Sequence, residues 1–346
     1  YELISGNVQQ VDYQKGKPDA ITHQYHYDEL NRLTEAESSI DNGIHSDRHV
    51  HYRYYDYGPL ARVEYGRNQV QGQDYAYTIN GWIKGMNASV LSRSRDMGND
   101  GTVGYFSHNQ GVHSLFARDV TAYTLSYYQH DYKPIGGTEF EVAYGSSSLN
   151  SDAYNLYNGN IRSVVTSITG MKTMGKAFLY DQLQRLKKMG SYYYEDNGSY
   201  SWDGITGTAE YANSYSYDKN GNLRTLERNG NEIGNSTLEM DNFEYLYEDP
   251  VNGGYNNRLS WVHDHAGASI YGDIDIDHGM YVNGDRYTYD KLGQLISDAD
   301  EGIQEMQWRL GDKKLKRITR SNAQSPELEF VYNPFGQRVL KIEKIR

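Results

Sequence analysis

The chain has 346 residues with 34 basic and 46 acidic side chains, and a formal net charge of −12 disfavours binding to nucleic acid. The absence of Cys excludes disulfides, thiol nucleophiles and Cys-ligated metals. With 35 Tyr, 35 Gly and only 37% hydrophobic residues, the composition argues against a compact enzyme and favours a surface-rich β-protein. No apolar run approaches the roughly 18 residues that a transmembrane helix needs.

A short phrase, Tyr-x-Tyr-Asp-x-x-Gly-x-Leu, recurs along the chain and predicts its organisation. Three of the gaps between copies lie near multiples of roughly 21 residues, a period typical of repeat architectures. We therefore expect residues 1–346 to form one repeat segment of a longer polypeptide. The copies occupy residues 25–33, 54–63, 75–83, 178–186, 215–223, 287–295 and 330–339.

Each copy predicts a β-hairpin. Aromatic residues at positions i and i+2 face the same side of an extended strand. The Asp that follows opens a tight turn, and the Gly three residues later supplies a positive φ angle. Leu, Ile or Val then begins the second strand. Gly is replaced by Asn31 and Gln184 in two copies, and Asn tolerates this backbone better than Gln.

The defining residues of the hairpins are the strand tyrosines, the turn-opening Asp and the turn Gly. We expect Tyr25, Tyr27, Tyr217, Tyr287, Tyr289 and Tyr332 to lie on one face of a single curved sheet, stacked in rows. The full set is Tyr25, Tyr27, Asp28, Tyr55, Asp56, Gly58, Tyr77, Gly81, Tyr180, Asp181, Tyr217, Asp218, Gly221, Tyr287, Tyr289, Asp290, Gly293, Tyr332 and Gly336.

Between the copies the sequence predicts little other regular structure. The segments Val112–Val120 and Met171–Leu179 are candidates for short helices, with apolar residues at mixed spacing. Weaker versions of the phrase occur at residues 157–162 and 245–247.

Motifs for chemistry are sparse. The pairs His49-Val50-His51 and His263-Asp264-His265 place two imidazoles on one strand face, but neither has an obvious third metal ligand. The segment from Asp273 to Gly279 resembles the opening of a Ca²⁺ loop, although His278 stands where that loop requires Gly. Its strict alternation favours a strand with one acidic face. The sequence contains no nucleophile elbow, phosphate loop or dinucleotide motif, so we expect no enzyme, no cofactor and no metal.

The repeated phrase resembles the YD repeat of the Rhs and teneurin proteins and of the C components of insecticidal toxin complexes. Residues 77–186, which include Ile79-Asn80-Gly81-Trp82-Ile83, are similar to the central segment of bacterial secreted Rhs proteins. The resemblance implies an all-β fold in which hairpins join edge to edge into a curved, spiralling, mostly antiparallel sheet, forming a hollow shell or part of one. Asp249-Pro250 is the only Asp-Pro pair and lies in mid-chain, so the family's terminal self-cleavage is not expected there.

The same resemblance implies a noncatalytic shell that encloses a toxin or effector passenger, carried in the C-terminal part of the same polypeptide. It also implies a bacterial protein that is secreted or held at the cell surface, with secretion machinery or a surface component as a further partner. An extracellular adhesion or glycan-binding module is the alternative, suggested by the teneurin resemblance and by aromatic-rich phrases such as Tyr77–Ile83. A hydrolase is a third reading. The shell and the adhesion hypotheses differ in where the repeat tyrosines face: inward over an enclosed volume in a shell, and outward around shallow aromatic sites in an adhesion module.

Overall fold

All regular elements described by the structure, a computed structural model, are β-strands, which confirms the all-β class. The described part contains no helix able to span a membrane. The chain divides into two compact units, residues 1–185 with 189–208, and residues 186–188 with 209–346. The structure describes residues 1–346 except 41–44, 93–94, 102–112, 135–139, 141–154, 196–200, 203–207, 232–237, 250–253, 256, 268–285, 300, 323–324 and 346.

The first unit is a meander in which each strand pairs with the next along the chain, from β1 to β11, and β12 pairs with β11. Residues 186–188 of β11 belong to the second unit. The strands are β1 (Gln10–Tyr13), β2 (Ile21–Tyr27), β3 (Leu33–Ser39), β4 (Ser46–Tyr54), β5 (Leu60–Tyr65), β6 (Gln71–Tyr77), β7 (Ile83–Met86), β8 (Thr121–Ser126), β9 (Ser163–Ile168), β10 (Met174–Tyr180), β11 (Leu186–Glu195) and β12 (Ser201–Trp202).

The second unit has two strand runs and a short ribbon, paired in the orders β13-β14-β15-β18, β19 to β24, and β16-β17. Tyr287, Tyr289 and Tyr332 lie in the separate six-stranded sheet β19 to β24, so the expectation of one single sheet for all copies is corrected. The strands are β13 (Thr208–Tyr217), β14 (Leu223–Asn229), β15 (Glu239–Leu246), β16 (Glu248–Asp249), β17 (Gly254–Tyr255), β18 (Trp261–Asp264), β19 (Tyr287–Tyr289), β20 (Leu295–Asp298), β21 (Ile303–Trp308), β22 (Leu315–Arg320), β23 (Glu327–Tyr332) and β24 (Arg338–Lys344).

Neither predicted helix forms. Residues 174–179 of the segment Met171–Leu179, together with Tyr180, make strand β10, where Gly175 and Ala177 are buried on one face. Small residues at alternate positions favour close packing of an extended strand over an apolar helical stripe. In the second segment, residues 113–120 form a turn and irregular chain, and Val112 lies outside the described residues.

The sheet of the first unit has two unlike faces. Residues directly opposite each other in an antiparallel pair share a face, so the strand register assigns one face to the tyrosines. The opposite face carries Arg62, Glu64 and Asp74, and then small buried residues such as Ala122 and Ser163. On the tyrosine face the pairing runs from Tyr25 through Ala36 to Val50, from Tyr52 through Val63 to Gln73, and from Tyr75 through Met86 to Tyr123.

Because consecutive strands are antiparallel, every repeat turn of the first unit leaves its sheet at the same end. The turns β2–β3, β4–β5, β6–β7 and β10–β11 lie there, and the turns β3–β4, β5–β6 and β9–β10 lie at the opposite end. The same argument places the turns β19–β20, β21–β22 and β23–β24 at one end of the six-stranded sheet. The turns of the repeat phrase therefore lie together at one end of the strands in each of these two sheets.

Candidate functional site

The seven repeat turns share one geometry. In the turn after β19, Asp290 N donates to Gln294 O at 2.9 Å and Gly293 N donates to Asp290 O at 3.0 Å. The carboxylate of Asp290 accepts the N–H groups of Leu292 and Gln294, each at 2.8 Å. This pattern is a type I turn followed by a bulge at a left-handed residue, a common connection between hairpin strands.

In every copy the last residue of the turn has a positive φ angle, which confirms the left-handed backbone expected for Gly221, Gly293 and Gly336. Asn31 and Gln184 also adopt positive φ angles, of 60° and 66°, where Gly is missing. In those two turns a backbone N–H of Arg32 or Arg185 lowers the pKa of the turn-opening Asp28 or Asp181. The seven φ values are Asn31 60°, Gly58 118°, Gly81 78°, Gln184 66°, Gly221 93°, Gly293 80° and Gly336 78°.

The second copy has a different frame from the one predicted. Tyr54, not Tyr55, ends the strand and lies opposite Leu60, as Tyr27 lies opposite Leu33. Tyr55 takes the place of the turn-opening Asp, since its N–H bonds to Pro59 O and its carbonyl accepts from Gly58 N. Asp56 is therefore the second turn residue.

In six of the seven repeat copies, a tyrosine lock joins the hairpin to the chain segment before it. The phenol of the tyrosine that ends a repeat strand donates to a backbone carbonyl of the preceding hairpin at 2.7–2.9 Å. These hydroxyl-to-carbonyl bonds link neighbouring hairpins in a way that the predicted stacking of the rings in rows did not include. The pairs are Tyr27–Val8, Tyr54–Leu33, Tyr180–Ile161, Tyr217–Leu186, Tyr289–Leu259 and Tyr332–Leu315.

Two further aromatic residues were not identified from the repeat phrase. Trp308 at the end of β21 donates its Nε1–H to Leu295 O at 2.7 Å, so an indole replaces the phenol in the hairpin β21–β22. Tyr127 follows β8 and bonds to Ile83 O at 2.8 Å. The aromatic at the end of a strand was the available signal, but the Asp-x-x-Gly turn is missing from both.

A buried charge cluster lies on the face of the first sheet opposite the tyrosines. Arg62 is only 2% exposed, and its guanidinium contacts the carboxylates of Glu64, Asp74 and Asp100. The Nη2–Oδ1 distance to Asp100 is 2.8 Å, and the guanidinium carbon lies 4.6 Å from the ring centroid of Phe116. Since Asp100 and Phe116 belong to the connection 87–120, this cluster fixes that connection against the sheet.

The carboxylates of the cluster outnumber the guanidinium that they share. Burial raises the pKa of Asp74 to about 7 and that of Asp119 to about 8, because desolvation penalises the ionised form and neighbouring carboxylates add repulsion. The attraction of Arg62 lowers the pKa of Asp74 without reversing the shift, since the guanidinium also contacts Glu64 and Asp100. Burial likewise raises the pKa of Asp96 and Asp100.

A second buried ion pair anchors the chain that follows β8. Lys84 Nζ lies 2.8 Å from Asp131 Oδ1 and 3.0 Å from Ser126 Oγ. The other carboxylate oxygen of Asp131 accepts Tyr127 N at 2.8 Å. Both charged side chains are nearly inaccessible, with exposures of 2% and 4%. Removing either charge would leave the other buried without a counter-ion, which strongly destabilises a fold.

His49, His51 and His265 each lie within hydrogen-bond distance of a side chain on a neighbouring strand. His49 Nε2 lies 2.6 Å from Ser38 Oγ, and His51 Nδ1 lies 3.1 Å from Glu64 Oε2. The rings of His263 and His265 are 4.3 Å apart, and His265 Nε2 lies 3.1 Å from Glu244 Oε2. In the part of the chain that the structure describes, no three His, Asp or Glu side chains are grouped to hold a metal. Residues 273–279 lie outside the described part.

An open cleft of about 630 Å³ lies in the first unit beside the turn β9–β10. Its lining includes Val90, Asp119, Ser167, Lys172 and Tyr194. Asp119 Oδ1 accepts a bond from Gln71 Nε2 at 3.0 Å. The cleft mixes apolar, hydroxyl and charged groups without a nucleophile–base pair among the contacts described, so it supports no reaction class.

No family model and no curated protein matches the chain. Among solved structures it is similar to TcdB2-TccC3 without the hypervariable C-terminal region, with a TM-score of 0.45 and 12% identity, covering 95% of this chain and 14% of that one. TcdB2-TccC3 itself gives 0.45 and 12%, with 97% and 15% covered. The Tc holotoxin pore of Photorhabdus luminescens gives 0.45 and 12%, with 95% and 14% covered. The chain thus spans only 14–15% of the length of these proteins.

Proposed function

We propose that this chain is a noncatalytic wall segment of an Rhs-type shell that encloses a toxin or effector passenger for secretion and delivery. The observation that carries the proposal is the unbroken order of antiparallel hairpins from β1 to β11, each joined edge to edge to the next. The wall of a shell has to be continuous, and the backbone pairing of consecutive strands makes it so.

Two repeated devices suit a wall. The turns fix the length and register of each hairpin, and the tyrosine locks tie successive hairpins through backbone carbonyls. The unlike faces of the first sheet give the wall an aromatic side and a polar side with buried charges. In this proposal the passenger is the C-terminal part of the same polypeptide, and the protein is secreted or held at the bacterial cell surface.

Limited proteolysis of the complete natural polypeptide tests containment. Trypsin is added to the purified protein, and the surviving fragments are identified by mass spectrometry. Containment predicts a passenger fragment that survives in the native protein and is digested in the double variant Gly221→Val/Gly293→Val, which strains two repeat turns. The variant Gly311→Val, at a glycine with open space around its Cβ position, serves as the control. Equal digestion in all three proteins contradicts containment.

An adhesion or glycan-binding module is the second candidate, favoured by exposed aromatic rings. Tyr57 and Tyr157 are each 70% exposed and are supported from behind by Tyr55 and Tyr128, with ring centroids 5.1 and 4.8 Å apart. Such rings offer a flat apolar surface on which a sugar can stack. A glycan array that detects binding by the chain, and loses it in Tyr57→Ala or Tyr157→Ala, supports this candidate over containment.

A further inference from the structure

The hairpin turns at one end of each sheet display large apolar residues to solvent. In the turns β2–β3, β4–β5 and β6–β7, Leu30 is 67%, Tyr57 70% and Ile79 93% exposed. These three turns follow one another at one end of the first sheet, two strands apart, so their tips recur about every 10 Å. We call Leu30, Tyr57 and Ile79 ridge A.

The six-stranded sheet presents a matching set. In its consecutive turns β19–β20, β21–β22 and β23–β24, Leu292 is 68%, Leu310 98% and Phe335 89% exposed. These turns also lie at one end of their sheet and are two strands apart, which gives the same pitch of about 10 Å. We call Leu292, Leu310 and Phe335 ridge B.

In each ridge a hydrogen bond links two adjacent turns. In ridge A, Arg32 Nη1 donates to Gly58 O at 3.2 Å. In ridge B, Lys314 Nζ donates to Gly336 O. The backbone bonds within the turns add to this, and the ring of Tyr57 stacks on Tyr55. Apolar residues held in place lose little further freedom on binding, which favours their use as contacts.

The charges beside the two ridges are opposite in sign. Ridge A is accompanied by the exposed acidic residues Glu29 and Asp56, each next to an apolar tip. Ridge B is accompanied by the exposed basic residues Lys291 and Lys313, and the one exposed acidic residue in its turns, Asp312, is paired with Arg309 at 3.3 Å. Complementary charges around an apolar centre steer association and fix register.

We propose that ridge A of one copy of this chain docks on ridge B of a second copy, with the apolar tips of one ridge seated between those of the other. Equal pitch lets three tips engage together, and Glu29 and Asp56 then face Lys291 and Lys313. Because the two patches differ, the contact is heterologous, and each copy keeps one free ridge for a further copy. The chain therefore associates head to tail.

Sedimentation velocity over a range of concentrations tests the contact. The unchanged chain is expected to associate as concentration rises, and high salt is expected to weaken the association because the flanking charges are exposed. Two variants remove one ridge each: Leu30→Ser/Tyr57→Ser and Leu292→Ser/Phe335→Ser. Either is expected to weaken association by about tenfold or more, since exposed turns tolerate substitution while the anchors are lost.

Mixing the two ridge variants gives the decisive outcome. Each variant alone has only one working ridge and remains a monomer, whereas the mixture forms a one-to-one dimer that grows no further. Met171→Ser, at a residue 68% exposed in a turn at the opposite end of the first sheet, is the matched control and is expected to associate normally. Circular dichroism checks that every variant is folded.

Charge reversal provides an independent readout. Glu29→Lys is expected to weaken self-association, because the introduced lysine then faces Lys291 in every contact, and the double variant Glu29→Lys/Lys291→Glu is expected to restore it. The proposal is overturned if the unchanged chain stays monomeric at all concentrations. It is also overturned if the ridge variants associate as well as Met171→Ser does, or if their mixture contains monomers alone.

Discussion

Substituting the turn glycine Gly293 by Val isolates the backbone strain on which the repeat depends. Gly293 has a φ of +80°, and a Cβ placed there meets only Arg258, at an ordinary distance of 3.9 Å. Steric collision with neighbours is therefore absent, and the expected loss comes from forcing a β-branched residue into the left-handed region. That conformation costs about 1–3 kcal/mol for a residue that avoids it.

The matched control is Gly311→Val in the same six-stranded sheet. A Cβ at Gly311 meets no atom within 4 Å, and its φ is outside the left-handed range. Both substitutions reduce the freedom of the unfolded chain equally, by about 0.4–1 kcal/mol, so this contribution cancels in the comparison. The difference between the two variants is thus a measure of strain alone.

Urea unfolding and amide hydrogen exchange measure the effect. The free energy of unfolding of Gly293→Val is expected to be about 1–3 kcal/mol below that of Gly311→Val. Exchange is expected to accelerate most at the amide of residue 293, whose N–H bonds to Asp290 O at 3.0 Å. Equal stability and equal exchange in the two variants would falsify the assignment of strain to this turn.

Three further perturbations test the locks and the buried charges. Tyr289→Phe removes the 2.8 Å bond to Leu259 O and is expected to lower the free energy of unfolding by about 1–3 kcal/mol. Tyr57→Phe, at an exposed ring, is the control and is expected to change it little. Equal urea midpoints for the two variants contradict the lock. The raised pKa values of Asp74 and Asp119, about 7 and 8, mean that the fold favours the protonated carboxyls, so the stability of the first unit is expected to fall as pH rises from about 4 through 8. Urea midpoints at several pH values check this, and Asp119→Asn is expected to make the midpoint depend less on pH. If the Asp119→Asn variant keeps the same pH dependence as the unchanged chain, the burial of an ionisable Asp119 is not its cause. Lys84→Met leaves Asp131 buried without its cation and is expected to lower the free energy of unfolding by about 3–5 kcal/mol. The double variant Lys84→Met/Asp131→Leu is expected to recover part of that loss. Thermal melting that shows no recovery in the double variant contradicts the importance of the ion pair.

The repeat turns were predictable because their signal is local. Asp, Asn and Gly at fixed spacing specify a turn through their own backbone preferences, without help from distant residues. The frame of the second copy was misplaced for a related reason. Tyr52, Tyr54, Tyr55 and Tyr57 form two adjacent Tyr-x-Tyr pairs, 52/54 and 55/57, and only the pairing of Tyr54 with Leu60 decides between them.

The tyrosine locks and the charge cluster were not predictable because they depend on contacts between distant segments. In sequence, Arg62 and Glu64 alternate with Val63 as in any strand with a solvated polar face. Their burial follows from the connection 87–120, which brings Asp100 against that face. The gap between the copies at Tyr77 and Tyr180 lies near a multiple of the repeat period, so the sequence did not mark residues 87–120 as a long connection that covers this face.

The tyrosine lock has a consequence for how such chains change over generations. Its acceptor is a main-chain carbonyl, which every residue type provides, so the lock places no demand on the side chains of the neighbouring hairpin. A hairpin that brings its own terminal Tyr, or a Trp as at position 308, fits behind any other. Duplication, deletion or exchange of whole hairpins therefore leaves the linkage intact. This interchangeability accounts for copies that share only a handful of residues yet retain one geometry.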